Sequence, residues 1–226
     1  MIDIDVLLDN IDACIFDMDG TLIDSLWVWS AIDIECLAKY GIDEDPKTYQ
    51  KAISGMSFIQ VAQMTKDRYN LPMSVEELMD EWNMMAEDKY AHEIPYKPGA
   101  EEFLKELLRR GVKTGIGTSN SRHLVEQMYP RLHLDEYISV ILTGDEITNG
   151  KPEPDIYLET AARLGVDPSR CLVFEDVLHG ITAGHAAGMK VCTVYDDNTA
   201  YCDDEKRERA DFYIRDYLDV TWERLK

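Results

Sequence analysis

The 226-residue sequence contains no apolar run that approaches the roughly 20 residues of a membrane-spanning helix. Its N-terminal segment also lacks the basic residues with which a secretion signal begins, and carries acidic ones instead. These two absences predict a cytoplasmic chain that has no membrane as a partner.

Cysteines are few, and none of the five lies in a Cys-x-x-Cys pair. An odd number of cysteines argues against a complete disulfide framework, and the missing pair spacing argues against a structural zinc site. We therefore expect reduced thiols, as in the cytoplasm.

Basic residues are strongly outnumbered, with 23 Lys and Arg against 44 Asp and Glu, which gives a formal charge of −21. A negative field of this size repels nucleic acid and anionic membrane surfaces, so we predict neither as a partner. The same field opposes the binding of an anionic substrate. A phosphate-binding protein of this composition therefore needs a metal cation, a few lysines and backbone N–H groups at its site.

The apolar pattern changes twice along the chain. Residues 11–17 are typical of a short buried strand, and about seventy residues with helical spacing follow, including a capping-box pattern at 74–77. Beyond the turn at 95–99, helices alternate with short apolar runs, which predicts a parallel sheet covered by helices on both faces. The strands predicted after this turn are 112–117, 138–142, 171–174 and 190–194.

We therefore predict an α/β fold with a Rossmann-like core domain formed by residues 1–23 and 96–226. Residues 24–95 are predicted to form an inserted α-helical domain. The charged segment 196–209 is predicted to be an exposed surface stretch. Ligands of parallel sheets bind beyond the carboxyl ends of the strands, so functional residues are expected there.

Four predicted strand ends carry residues suited to phosphoryl chemistry. The first has two neighbouring carboxylates, Asp17 and Asp19, which can divide the roles of attacking group and proton donor. Hydroxyl and amide groups at a helix start suit phosphoryl oxygens, and carboxylates suit Mg²⁺. The other three strand ends carry Thr118-Ser119-Asn120, Lys151 and Glu175-Asp176.

Each of these patterns also has an ordinary structural interpretation. Acidic pairs are common in so acidic a chain, a Thr-Ser-Asn sequence is typical of a helix cap, and a lysine before proline usually lies at the surface. Their joint occurrence, each at the end of a predicted strand, favours an active site over four coincidences.

Together these motifs resemble those of the haloacid dehalogenase (HAD) superfamily, and specifically its beta-phosphoglucomutase-like phosphatase branch with a helical cap. The residues that match, in order, are Asp17-Met18-Asp19-Gly20-Thr21, Thr118, Lys151 and Glu175-Asp176. The resemblance implies that Asp17 attacks phosphorus to form an aspartyl-phosphate, and that Asp19 is the general acid and base. It implies that Thr118 and Lys151 hold the phosphoryl group.

The resemblance also implies a Mg²⁺ cofactor. Its ligands would be Asp17, the backbone carbonyl of Asp19, and Asp176, with Glu175 either another ligand or directly behind them. Residues 24–95 would be the cap, and cap residues that face the core would select the substrate. The residues expected to contact the substrate are Ser119, Asn120, Trp27, Trp29, Ser57 and Phe58.

Two cap positions depart from the sugar-phosphate mutase of this branch. That enzyme has a histidine where this chain has Trp29 and an arginine where it has Phe58. The loss of both polar groups disfavours mutase activity on glucose phosphate and favours either a less hydrophilic leaving group or a less discriminating pocket. Trp27 and Trp29 are explained equally well by packing.

The sequence thus predicts a Mg²⁺-dependent phosphatase of a small phosphorylated metabolite, acting as a monomer or weak homodimer. One alternative is a phosphomutase or phosphonate hydrolase on the same scaffold, the latter needing a cap lysine such as Lys39, Lys47 or Lys51 to form a Schiff base. An alternative of another class is a non-catalytic phospho-acceptor signalling module. Asp19 and the cap-sized insert argue against the signalling module.

Overall fold

The computed structural model describes residues 1–53 and 58–222. The chain divides into two compact units, which we call the core unit (Met1–Ser25 with Ile94–Lys226) and the helical unit (Leu26–Glu93). No helix within the described ranges is both long and apolar enough to cross a lipid bilayer.

Short strands and helices alternate along the core unit, whereas helices make up the helical unit. In chain order the strands are β1 (Ile2–Asp3), β2 (Ala13–Phe16), β3 (Lys113–Thr118), β4 (Val140–Thr143), β5 (Cys171–Glu175), β6 (Lys190–Val194), β7 (Phe212–Ile214) and β8 (Val220–Thr221). The helices are α1 (Ile4–Leu7), α2 (Trp27–Lys39), α3 (Pro46–Ile53), α4 (Phe58–Tyr69), α5 (Val75–His92), α6 (Ala100–Arg110), α7 (Arg122–Leu132), α8 (Leu134–Tyr137), α9 (Asp155–Leu164), α10 (Leu178–Ala186) and α11 (Asp203–Arg209).

A six-stranded parallel sheet with the order β4-β3-β2-β5-β6-β7 forms the centre of the core unit. β1 and β8 pair separately, also in parallel. The chain builds outward from β2 through β3 and β4, and then returns to the other side of β2 with β5. Ligands of such sheets bind at this reversal of strand order, which here lies between β2 and β5.

Helices cover both faces of the six-stranded sheet. On one face the rings of Phe16 and Phe174 stack with centroids 4.8 Å apart, and Phe103 of α6 packs edge-on against Phe174. On the other face Ile15 and Val173 join a buried apolar cluster with residues of α9 and α10. Successive side chains of a strand point to opposite faces, so burial of both faces explains why the central strands are apolar throughout. The predicted α/β fold with a Rossmann-like sheet is confirmed.

Two glycines of β3 let α9 approach the sheet closely. A Cβ atom added to Gly115 would lie 2.8 Å from the side chain of Thr160, and one added to Gly117 would lie 3.4 Å from the Tyr157 ring. A larger residue at position 115 would therefore displace α9. This matters for the site, because α9 carries Tyr157 to its edge.

The charged segment 196–209 is largely exposed, as predicted, but three of its residues are buried. Asp196 is buried, and Lys206 has no exposed surface at all. The segment forms a 3-10 turn over Asp197–Cys202 and then α11, and it leads into β7, a strand that was not predicted. Charge-rich composition indicates exposure only where the charges lack partners, and both of these side chains have partners inside the fold.

The helical unit contains the capping box that the sequence indicates at the start of α5. The Ser74 side chain accepts a hydrogen bond from the Glu77 backbone N–H, and the Glu77 side chain accepts one from the Ser74 N–H. Leu78, Trp82 and Ala86 are buried along one side of this helix. The regularly spaced apolar residues of this helix therefore face the interior of the unit.

Candidate active site

The carboxyl edge of the parallel sheet brings together five residues that the sequence predicts for the site. Asp17 directly follows β2, Thr118 ends β3, and Glu175 ends β5 with Asp176 behind it. Because β2 pairs with both β3 and β5, these strand ends lie side by side. Lys151 reaches the same edge from the loop between β4 and α9.

Lys151 joins two buried carboxylates. Its ammonium group donates hydrogen bonds to Asp17 Oδ1 at 2.5 Å and to Glu175 Oε1 at 2.7 Å. The Tyr157 hydroxyl donates to the same Glu175 oxygen at 3.0 Å, and the Lys151 ammonium lies 5.0 Å from the centroid of the Tyr157 ring. These contacts hold Asp17, the first carboxylate of the motif, in a fixed orientation.

The carboxylates of this edge need more positive charge than Lys151 supplies. Burial raises the pKa of Asp17 to about 7, Lys151 opposes the rise, and the Glu175 charge adds to it. Burial, together with the charges of Glu175 and Asp17, likewise raises the pKa of Asp176 well above its usual range. Burial alone would lower the pKa of Lys151, but the carboxylates around it raise it well above its ordinary value. A further cation here would stabilise the ionised carboxylates.

The donor set fits a hard divalent cation such as Mg²⁺. Asp17, Glu175 and Asp176 each offer a carboxylate oxygen, and these oxygens lie within 4.8 Å of one another. Asp176 Oδ1 accepts a hydrogen bond from the Thr21 hydroxyl at 2.8 Å, whereas Asp176 Oδ2 is buried and has no hydrogen-bond partner in the described part of the chain. A buried carboxylate oxygen without a partner is costly unless it binds a cation.

Glu175 is arranged differently from Asp176. Its Oε1 accepts from Lys151 and Tyr157, and its Oε2 accepts from the backbone N–H groups of Asp176 and Val177 at 2.8 and 3.0 Å. Both oxygens of Glu175 are therefore already hydrogen-bonded. Of the two neighbours, Asp176 offers the more available ligand atom.

Asp19 lies in the loop after β2, where Gly20 adopts a left-handed backbone conformation with φ 78°. The Ser25 hydroxyl donates to Asp19 Oδ1 at 2.7 Å, and the Asn120 side-chain amide donates to Asp19 Oδ2 at 3.0 Å. Asn120 thus links the loop after β3 to the second carboxylate of the motif. This contact joins two of the predicted strand-end motifs.

Thr118 is buried at the end of β3, and its hydroxyl accepts a hydrogen bond from the Asn120 backbone N–H at 3.1 Å. Ser119 is exposed in the same loop. The helix cap here is Ser121, whose side chain accepts from the Leu124 N–H at the start of α7. Residues 118–120 therefore precede the helix and do not cap it.

The model of the haloacid dehalogenase-like hydrolase family matches residues 14–194, which include every predicted site residue of the core unit. The chain belongs to this family. The resemblance seen in the motifs is thereby confirmed, and so is the prediction of a hydrolase of the phosphatase type, because relatives of this chain are named as phosphatases.

Two of these relatives and one crystal structure illustrate the similarity. The chain is 35% identical over 189 residues to the bifunctional riboflavin kinase/FMN phosphatase of Arabidopsis thaliana, with 83% of this chain and 49% of that protein covered. It is 34% identical over 200 residues to a candidate pseudouridine-5′-phosphatase of Drosophila melanogaster, with 84% of each covered. A crystal structure of a candidate beta-phosphoglucomutase from Thermotoga maritima is similar with a TM-score of 0.80 and 25% identity, covering 90% of this chain and 94% of that one. The chain thus spans about half the length of the first of these HAD relatives and most of the other two.

Three residues at the carboxyl edge of the sheet contribute to the site but are absent from the sequence prediction. Ser25 and Tyr157 bond to Asp19 and Glu175 respectively, and neither has a distinctive sequence signal. Gly180 of α10 makes room for Glu175, since a Cβ atom at position 180 would lie 1.7 Å from Glu175 Oε1. A glycine inside a helix is unfavourable, so Gly180 was the one of the three with a usable signal.

The predicted substrate residues of the helical unit include an aromatic pair. Trp29 and Phe58 are 37% and 36% exposed, and their rings meet edge to face with centroids 5.6 Å apart. Lys89 lies 5.6 Å from the centroid of the Trp27 ring. Ser57 lies outside the described residues. Contact between these four residues and a substrate stays a prediction.

Proposed function

We propose that this chain is a Mg²⁺-dependent phosphatase that hydrolyses a small phosphorylated metabolite through an aspartyl-phosphate on Asp17. The observation that carries the proposal is the buried arrangement around Asp17. Lys151 bonds its carboxylate on one side, and Asp176 lies beside it with an oxygen that has no hydrogen-bond partner among the described residues. A phosphoryl dianion needs such a cationic and preorganised environment next to its nucleophile.

In the first half of the proposed reaction, an oxygen of Asp17 attacks phosphorus and the bond from phosphorus to the substrate oxygen breaks. Asp19 gives its proton to the leaving oxygen. In the second half, Asp19 takes a proton from water, and that water attacks the phosphorus of the aspartyl-phosphate. Inorganic phosphate leaves, and Asp17 and protonated Asp19 are restored.

The neighbouring side chains have supporting roles. Lys151 orients Asp17 and offsets the repulsion between its carboxylate and the phosphoryl oxygens. Thr118 would donate to one of those oxygens. Mg²⁺, held by Asp17, Asp176 and the backbone carbonyl of Asp19, would supply the remaining positive charge. Glu175 holds Lys151 in place.

We extend the proposal to phosphate esters whose leaving group carries a planar ring. Two HAD relatives are named for the hydrolysis of FMN and of pseudouridine 5′-phosphate, and both of these compounds contain such a ring. Trp29 and Phe58 form a partly exposed aromatic pair, and aromatic side chains stack on planar rings. The same pair stands in place of the polar residues of the sugar-phosphate mutase.

The test is phosphate release from a panel of sugar, polyol, nucleotide and flavin phosphates, with Mg²⁺ and with EDTA. We expect Mg²⁺-dependent release that Asp17→Asn abolishes, and the highest kcat/KM for a ring-bearing ester. Asp135→Asn, at an exposed position, is the matched control and should leave the rate unchanged. Release that survives Asp17→Asn would refute the proposed nucleophile.

The same panel separates the alternatives. A phosphomutase would convert glucose 1-phosphate to glucose 6-phosphate without net phosphate release. A phosphonate hydrolase needs an amine of lowered pKa to form a Schiff base, whereas the Glu81 hydrogen bond raises the pKa of Lys39. The side chains of Lys47 and Lys51 lie outside the described atoms. A signalling acceptor would form a stable phosphoenzyme with acetyl phosphate and release phosphate only slowly.

A further inference from the structure

α11 carries a buried lysine whose neighbours in sequence are exposed. Lys206 has no exposed surface, whereas Glu205 and Arg207 face solvent. Removal of an ammonium group from water is energetically costly unless partners inside the fold compensate for the loss. The contacts of Lys206 therefore indicate what its burial achieves.

The Lys206 ammonium is directed at the loop that carries Asp176. It donates a hydrogen bond to the main-chain carbonyl of Asp176 at 3.1 Å and another to the Thr199 hydroxyl at 2.9 Å. Asp203 Oδ1 lies 3.8 Å away, beyond hydrogen-bonding distance. The closest partners of this charge are thus a backbone group of the site and a hydroxyl, both neutral.

Asp176 is held at three points, and Lys206 provides one of them. Thr21 bonds its side-chain Oδ1, Glu175 accepts from its backbone N–H, and Lys206 donates to its carbonyl. These bonds fix both peptide groups of the residue and the rotation of its side chain. Asp176 Oδ2, which has no hydrogen-bond partner within the described ranges, is thereby held in one place.

We propose that Lys206 is a positioning residue, which orients Asp176 Oδ2 for Mg²⁺ through the hydrogen bond to the Asp176 carbonyl. The inference rests on the proposed function, because it takes Asp176 as a metal ligand. Groups that orient a ligand from behind typically contribute about 10- to 100-fold to metal affinity.

The direction of the change in Mg²⁺ affinity distinguishes a positioning role of Lys206 from a purely electrostatic effect of its charge. Loss of a positive charge near a cation site strengthens cation binding, because repulsion is removed. Loss of a group that orients a metal ligand weakens cation binding. Weaker Mg²⁺ binding after removal of Lys206 would therefore identify positioning.

The experiment is calorimetric titration of the full chain with MgCl₂, without substrate. Lys206→Met removes the hydrogen bond and the charge, and we expect the Kd for Mg²⁺ to rise about tenfold or more. The glutamine side chain of Lys206→Gln is too short to reach both acceptors, so this variant should show the same rise in the Kd for Mg²⁺. It provides a second variant if Lys206→Met fails to fold. Lys206→Arg, which keeps a positive charge and N–H donors, should bind Mg²⁺ more tightly than Lys206→Met.

The matched control is Arg209→Met, which removes a positive charge from an exposed position on the same helix. Its Mg²⁺ affinity should equal that of wild type or be slightly higher. Folded Lys206→Met or Lys206→Gln that bind Mg²⁺ as tightly as wild type would overturn the inference and leave the proposed function intact. A wild-type chain that neither binds Mg²⁺ nor releases phosphate would overturn both.

Discussion

At the scale of single residues, the site combines three buried carboxylates with a lysine that bonds two of them. Asp17 and Glu175 share the Lys151 ammonium, and Asp176 keeps an oxygen without a hydrogen-bond partner in residues 1–53 and 58–222. Buried charges of one sign destabilise a fold, so they are typically retained where a catalytic or binding role requires them. Lys151 should therefore matter for both stability and catalysis.

We predict that Lys151→Met lowers kcat for phosphate release by about 100- to 1,000-fold, as the loss of one well-placed cationic donor typically does. It should also lower the free energy of unfolding by about 3–5 kcal/mol, because two buried carboxylates lose their partner. Steady-state kinetics and urea denaturation measure the two effects. Lys105→Met, which breaks an exposed pair with Glu101, is the control and should change neither. A folded variant with wild-type kcat would contradict the role given to Lys151.

At the scale of elements, close packing between α10 and β5 decides the position of Glu175. A Cβ atom at Gly180 would overlap the Glu175 carboxylate. A glycine-to-alanine change inside a helix ordinarily stabilises by about 1 kcal/mol. In α10 the overlap with Glu175 should make the same change destabilising.

We predict that Gly180→Ala lowers the melting temperature and reduces kcat, because Glu175 must leave its bonds to Lys151 and the backbone. Differential scanning calorimetry and phosphate release measure the two effects. Gly150→Ala is the control, because an added Cβ at this position would have no described residue other than its chain neighbours within 4 Å. A melting temperature that rises in Gly180→Ala would show that Glu175 has room to move.

The end of α6 contains a second test at this scale, which involves pH. The two hydrogen bonds from Arg109, together with the one from Arg110, lower the pKa of Glu106 from 4.5 to about 2, although burial opposes the shift. A carboxyl group whose pKa is lowered by folding stabilises the fold above its unfolded pKa. That stabilisation is lost as pH falls from 4.5 towards 2.

We predict that Glu106→Gln lowers the free energy of unfolding at pH 7 by about 1.5–3 kcal/mol, the range for hydrogen bonds to charged groups. The difference between the variant and wild type should shrink below pH 4.5, be small at about pH 2 and vanish below it. Urea denaturation across this pH range provides the measurement. A difference that stays constant down to pH 2 would show that Glu106 contributes by packing alone.

The strands of the sheet could be predicted from the sequence, whereas several site contacts could not. The central strands are apolar because both faces are buried, so predicted strands such as 171–174 and 190–194 agree with β5 and β6 to within one residue. Asp17, Lys151 and Asp176 carry motif signals. Lys206 and Tyr157 do not, because their roles depend on packing between segments distant in sequence.

At the scale of the whole molecule, the chain leaves the core unit near Ser25 and returns to it near Ile94. The two connecting segments are joined to each other: the Asp24 N–H donates to the Pro95 carbonyl, and the Lys97 N–H donates to the Leu22 carbonyl, both at 2.9 Å. The Lys97 side chain is buried and pairs with buried Asp196, which follows β6, with an Asp24 oxygen 3.9 Å away. Through Lys97, this ion pair links the connecting segments to the loop after β6.

We predict that Lys97→Met lowers the free energy of unfolding by about 3–5 kcal/mol, since Asp196 is left as a buried unpaired charge. The double variant Lys97→Met/Asp196→Asn should recover part of the loss. A double-mutant cycle in urea measures the coupling. A loss in the double variant equal to the sum of the losses in the Lys97→Met and Asp196→Asn single variants would show that the pair is not coupled.

The central claim is that Asp17 carries the phosphoryl group during turnover. Its most direct test is mass spectrometry of peptides from acid-quenched Asp19→Asn protein after incubation with Mg²⁺ and p-nitrophenyl phosphate, whose leaving group departs without a proton from Asp19. Without the Asp19 base, the intermediate should accumulate, and the peptide that contains Asp17 should gain the mass of one phosphoryl group. Asp17→Asn/Asp19→Asn should gain none. Phosphate release by wild type with no phosphoryl group on Asp17 in the Asp19→Asn protein would contradict the account.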